Sequence, residues 1–162
     1  LLNADYGLSE KSVLSLYQGE NEKDIWIGTD GGGVNVFNAD TNKFRHIPST
    51  YGEKVASITG VDKNRLLISL FGKGIFFYNK QTGYCTPLVI VNNNINNRLC
   101  QQGKTVNLIQ NTPETILLLS ESPYSYNWKQ KTFTPFHIDH LENGDSRAVA
   151  PDMCKGNIFL PA

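Results

Sequence analysis

Asp24-Ile25-Trp26-Ile27-Gly28-Thr29-Asp30-Gly31-Gly32-Gly33-Val34-Asn35-Val36-Phe37-Asn38 reads as two strands joined by a tight turn. Ile25, Trp26 and Ile27 form an apolar run, and Val34 to Phe37 alternate apolar with polar, the period of a strand. Glycine fits between them because a tight turn needs positive φ, which a residue without a Cβ adopts freely. The same layout returns 41 positions later at Leu66-Leu67-Ile68-Ser69-Leu70-Phe71-Gly72-Lys73-Gly74-Ile75-Phe76-Phe77-Tyr78-Asn79. Ile25 then aligns with Leu66, Gly31 with Gly72, Gly33 with Gly74 and Phe37 with Tyr78. The hairpin is therefore a repeating unit.

Outward from that hairpin, each repeat reads as four short strands. In the first, Val13 to Tyr17 precede it and Lys43 to Ile47 follow it across the turn Asn38-Ala39-Asp40-Thr41-Asn42. The second uses Val55 to Ile58, Leu66 to Leu70, Ile75 to Tyr78 and Tyr84 to Pro87; a polar insert from Asn92 to Gly103 comes after it. The third is more eroded, with Val106 to Ile109, Thr115 to Ser120, Tyr124 to Trp128 and Phe133 to Phe136, and Pro123 in place of the turn glycines. A fourth begins at Arg147 to Ala150, turns at Cys154 to Asn157 and reaches Ile158 to Leu160. Four-stranded repeats of this length are the signature of β-propeller blades, which bury their faces only against neighbours. The expected fold is all-β: a partial β-propeller of three blades plus part of a fourth, each of four antiparallel strands. The units run over about 7–47, 48–87, 102–136 and 145–162, the last incomplete.

The 162 residues carry fifteen basic and fifteen acidic side chains, so no net charge marks the chain for nucleic acid or an anionic membrane. Its apolar runs are far shorter than the roughly 20 residues of a membrane span. The chain opens at Leu1 rather than methionine and ends in a strand-like run, which suggests an excerpt of a longer polypeptide. Cys85, Cys100 and Cys154 are widely spaced with no CxxC, so they read as small packed thiols rather than a zinc site or disulfide framework. Whether one pair is bridged stays open.

Leu8 to Leu16, followed by Ile25 to Asn38 and by Lys43-Phe44, resembles the two-component regulator propeller repeat. That resemblance implies the periplasmic sensor region of a hybrid two-component histidine kinase of gut bacteria, recognising an oligosaccharide, or scaffolding its recognition, to switch on glycan-utilisation genes. It implies a sensor segment rather than an enzyme, no cofactor, and a kinase elsewhere in the parent chain. The expected partners are an oligosaccharide, neutral or anionic, and either the remaining blades of the ring or a second copy. Two other classes stay open: a propeller lyase or glycosidase, and a protein-interaction propeller without a small ligand.

In a propeller the loop between second and third strands shares a face with the loop leading into the next blade, and loops on a rigid scaffold are where recognition sits. On that face the sequence offers Tyr51, Phe71, Tyr124, His137, Asn97 and Arg98 as aromatic and planar polar groups for a sugar. A basic residue also precedes the first strand of each unit, namely Lys11, Lys54, Lys104 and Arg147. Set around the channel mouth, these four would favour an anionic ligand; the plainer alternative is solvated charge at strand ends. Gly31-Gly32-Gly33 joins strands and lacks Gly-Lys-Ser/Thr, so it is no phosphate cradle. His137, Asp139 and His140 lack an evident third metal ligand in a suitable frame, and no catalytic triad or carboxylate pair emerges from spacing. Trp26 reads as a packing anchor between blades.

Overall fold

The computed structural model describes residues 7–88 and 106–136, together with the backbone of two short strands between 152 and 159. Val13–Gln18 (β1), Asp24–Thr29 (β2), Val34–Asn38 (β3) and Lys43–His46 (β4) make one antiparallel sheet in sequential order. A second sheet repeats that order with Val55–Asp62 (β5), Arg65–Leu70 (β6), Gly74–Asn79 (β7) and Cys85–Pro87 (β8). A third does so with Asn107–Thr112 (β9), Thr115–Leu119 (β10), Tyr124–Asn127 (β11) and Thr132–Pro135 (β12). Asp152–Cys154 (β13) and Asn157–Phe159 (β14) pair as a further hairpin. The chain is an all-β, partial β-propeller with three blades and part of a fourth.

The turns are written into the sequence at matching places. An asparagine ends the third strand of every complete blade, and its side-chain oxygen caps the turn to the fourth. Asn38 Oδ1 accepts from the Thr41 amide at 3.0 Å, Asn79 Oδ1 from Gln81 at 2.9 Å and Asn127 Oδ1 from Lys129 at 3.1 Å. Each turn then needs one left-handed residue, supplied by Asn42 (φ 56°), Gly83 (φ 75°) and Lys131 (φ 57°).

Burial lies between blades. Trp26, Val34 and Val36 of the first blade pack on Ile58, Leu66, Ile68 and Tyr78 of the second. Alternation along β6 turns Leu67 to the other side, where with Ile75 and Val61 it meets Leu108, Ile116, Leu118 and Tyr126 of the third. Trp26 is the packing anchor expected of it: 1% exposed, edge-on to Tyr78 at 5.4 Å, with Arg45 and Lys80 over its ring at 5.1 and 5.6 Å. Inner strands are stitched by serines, as Ser15 Oγ donates to the Val55 carbonyl at 3.3 Å and Ser57 Oγ accepts from the Leu108 amide at 3.0 Å.

Three departures from the sequence reading have physical causes. β5 continues to Asp62 rather than stopping at Ile58, carried by irregularities at Val55/Ser57 and Gly60/Asp62 that preserve pairing with β6. In the fourth unit the hairpin's first arm is Asp152–Cys154, closer to the turn than Arg147 to Ala150, which lie outside the described residues. Third, Tyr124, expected to open a strand and also to stand on the loop face, does only the first. It opens β11 opposite Leu118 and Pro135, with its side chain buried in the core between the second and third blades.

Candidate functional site

The β2–β3 loop, the β6–β7 loop and the link from Ile47 to Lys54 form one surface, tied by backbone bonds. The Asp30 amide donates to the Ser12 carbonyl and the Phe71 amide to the Lys54 carbonyl, both at 2.9 Å. The Gly33 amide donates to the Glu53 carbonyl at 2.9 Å, and Val34 donates to Thr50 Oγ1 at 2.8 Å while that hydroxyl donates to the Ile47 carbonyl at 2.9 Å. Thr50 is thereby a buried hinge pin holding the link to the hairpin, with Pro48–Thr50 in a single 3-10 turn.

On this frame the charges are paired. Lys54 Nζ meets Asp30 at 3.0 Å and also stands 5.2 Å from the centre of the Phe71 ring. Lys73 pairs with Glu53. The same backbone bonds set the register of the basic positions: Ser12 and Lys54 both receive the first amide of their blade's hairpin loop, so they are equivalent, and Lys11 aligns with Glu53, one position further from its strand than Lys54. The acidic halves, Asp30 and Glu53, were missed by the sequence reading although both lie in or beside the loops it singled out. Opposite charges at that spacing become visible as pairs only when the two loops are known to touch.

Of the residues named from sequence, Tyr51 is open to solvent at 77% exposure and Phe71 is 40% exposed. Both stand on the loop surface, with Lys54 between the link and the Phe71 ring. Tyr124, at 7%, belongs to the core and cannot serve as a platform for a ligand. Lys11 is exposed at the start of β1. Asn97, Arg98, Lys104, His137 and Arg147 lie outside the described residues, as do Asp139 and His140.

A cleft of about 570 Å³ opens at the opposite end of the blades, bounded by Tyr17, Glu20, Asn21, Glu22, Asp62 and Lys63. Two of its carboxylates already have partners, Glu22 with Lys80 at 2.6 Å and Asp62 with Arg65 at 2.7 Å. Burial alone would raise Asp62, but hydrogen bonds from the Arg65 side chain and the Asn64 amide, with the Arg65 charge, hold it below the usual carboxylate range. Burial first and the Glu22 charge second push the Tyr17 phenol up. Among the described residues, no group of three or more His, Cys, Asp or Glu stands where it could hold a metal ion, and no helix is long and apolar enough to cross a membrane.

No protein-family model matches the chain, and no curated protein matches it. Solved structures do. The extracellular domain of BT3049 from B. thetaiotaomicron, described as a hybrid two-component system, superposes with a TM-score of 0.62 at 16% identity, over 84% of this chain and 19% of that one. The extracellular domain of BT4673 from the same organism, described as a one-component system, gives 0.65 at 20% identity, over 94% of this chain and 22% of that one. The β-propeller domain of Cps50 (Swd1) from Myceliophteria thermophila gives 0.54 at 10% identity, over 84% and 41%. At these identities the likeness is one of fold, and the chain spans about a fifth of the length of the two B. thetaiotaomicron domains.

Proposed function

We propose that this chain is part of the periplasmic sensor region of a hybrid two-component histidine kinase, and that its loop face recognises an oligosaccharide, or shapes the surface that does, to control glycan-utilisation genes. The observation that carries this reading is the shared fold with two extracellular domains described as parts of signalling systems, over 84% and 94% of the chain. The loop face supports it with chemistry suited to sugars: the open ring of Tyr51, the half-open ring of Phe71, and two ion pairs whose carboxylates accept from hydroxyls while their ammonium groups donate. A non-enzymatic role fits the same pairs, since Asp30 and Glu53 are held by lysines rather than poised as an acid and base.

The pairing also bears on the ligand's charge. A cation already facing a carboxylate offers little net field to an anion, so the described part of the face favours a neutral oligosaccharide over a uronic-acid or sulfated one. Calorimetric titration of the chain with neutral and acidic oligosaccharides tests this. Neutral ligands are expected to bind with little dependence on salt, and Tyr51→Ala or Phe71→Ala to weaken them about tenfold each, equivalent to ~1.4 kcal/mol. Binding confined to acidic sugars and lost with salt would restore the ionic version, and no response to any sugar would remove direct recognition by this face.

A further inference from the structure

The cleft at the end of the blades away from the loop face is built on three successive inner strands. Tyr17 stands on β1, Gly60 on β5 and Gln110 on β9. Gly60 and Gln110 occupy the same level, each two residues beyond the matching positions Ile58 and Leu108, which pair with Ile68 and Leu118. Tyr17 turns towards the second blade and packs on the core of the first junction, so the walls belong to junctions formed within the chain. Gly60 has no left-handed φ, yet a Cβ on it would collide with the Tyr17 hydroxyl. The glycine is therefore a seat for a phenol brought across from the neighbouring blade. Beside it, the irregularity at Gly60/Asp62 bends the end of β5, and Asn21 holds the β1–β2 turn with left-handed backbone at φ 58°.

Hydrogen-bonding capacity is left over in this cleft. Among the described residues, the side chains of Tyr17, Glu20, Asn21, Lys63 and Gln110 have no hydrogen-bond partner, and Glu22 engages Lys80 through Oε1 alone. Burial first and the Glu22 charge second keep the Tyr17 phenol protonated, so it is a donor. The charges cancel: Lys80 neutralises Glu22, Arg65 neutralises Asp62, and Glu20 is balanced by Lys63. An ionic ligand would gain little net field there, whereas a phenol and two amides beside free carboxylate oxygens match a molecule that carries hydroxyls on all sides. The volume of about 570 Å³ lies in the range of small-molecule sites. We propose that this cleft is a binding site, separate from the loop face, for a single uncharged sugar ring whose hydroxyls engage the Tyr17 phenol and the Asn21 and Gln110 amides. The site stands independently of ligand recognition by the loop face.

Amide chemical shifts of the whole chain, followed by NMR, test this. The probes are glucose, galactose, mannose, xylose, arabinose and fucose, with glycine and ethylammonium chloride as charged controls. At least one sugar is expected to move the amides of residues 19–22 and 60–63, which border the cleft, with little dependence on salt. Tyr17→Phe deletes only the hydroxyl, and Asn21→Gly deletes only the amide while keeping an easy left-handed turn. Each should weaken the response about tenfold, at the strong end of what one hydrogen bond supplies. Asn21→Gly decides the matter if Tyr17→Phe does not fold. Tyr51→Ala and Phe71→Ala, on the loop face, should leave these shifts unchanged. The proposal is overturned if no sugar moves the cleft amides, if only glycine or ethylammonium does, or if the response survives both cleft variants. A response abolished by Phe71→Ala but not by Tyr17→Phe also overturns it, and leaves the loop-face reading standing.

Discussion

Gly33 has two reasons to be glycine, and only one of them can be seen in its neighbours along the chain. Its φ of 78° is left-handed, and a Cβ built on it would stand 2.2 Å from the Thr50 carbonyl oxygen, a backbone atom that cannot step aside. Gly52 has the same φ of 78° with open space around it. Gly52→Ala is therefore expected to cost only the left-handed backbone term, about 1–2 kcal/mol. Gly33→Ala adds a collision with the link between blades, for on the order of 3 kcal/mol or more. Urea midpoints of the two variants check this, and equal losses would mean that Thr50 is not held where the structure has it. The triple glycine was legible as a turn because positive φ is a local demand. The contact with Thr50, seventeen residues on, was not, since the sequence is silent on where the link folds back. Tyr124 is the converse case. As the first residue of its strand it was legible, but which face it takes was not, since that follows from its register opposite Leu118, which sets it in the core between the second and third blades.

Among elements, the junction between the first and second blades rests on one aromatic. Trp26 fills the space between two sheets, so Trp26→Ala should destabilise the chain by roughly 3–5 kcal/mol. Its indole N–H is buried without a hydrogen-bond partner, so Trp26→Phe removes volume but breaks no bond and should retain most of the stability, which thermal or urea unfolding of the pair resolves. Two ion pairs lie around that ring: Arg45 holds Asp24 at 2.9 Å within the first blade, and Lys80 of the second crosses to Glu22 of the first. Burial would raise Asp24, yet hydrogen bonds from Asn38 and Arg45 and the charges of Arg45 and Lys80 outweigh it, so the carboxyl sits below its ordinary range, as does Asp62. A lowered folded pKa stabilises above the unfolded value, near 3.9 for aspartate, and that stabilisation is lost as pH falls below it through the folded value. The urea midpoint should accordingly hold steady from neutral pH to about 5 and decline below about 4. Asp24→Asn should lower the plateau and flatten the decline; a decline of undiminished steepness in that variant would assign the acid sensitivity to other groups. Strands here were legible from alternation, and the turn after the first hairpin from its Asn, Asp and Thr residues. The pairs were not, because Glu22 and Lys80 stand 58 residues apart and only the stacking of blades makes them neighbours.

For the molecule as a whole, the 41-residue period made the propeller readable, since a four-stranded unit that repeats can bury its faces only by stacking. Stacking also implies that the blades are unequal. The second blade is covered on both sides: Leu66 and Ile68 face the first blade, Leu67 faces the third, and all three are at 0% exposure. The first blade is covered on the Trp26 side, while Leu16 on its other side is 65% exposed. Local opening free energy follows the apolar contacts that an opening must break, and with nearest-neighbour coupling the middle unit has two interfaces to lose. Hydrogen exchange should therefore be slowest in β6, slower there than in β2, its positional counterpart, and fastest in the outer strand β4 and the solvent-facing β1. The comparison of β6 with β2 carries the weight, because both are second strands with the same ladder on either side and differ chiefly in what covers their faces. Equal protection in the two would mean that the Leu16 side of the first blade is covered in solution, and protection greater in β2 would mean that stability is set within blades rather than between them.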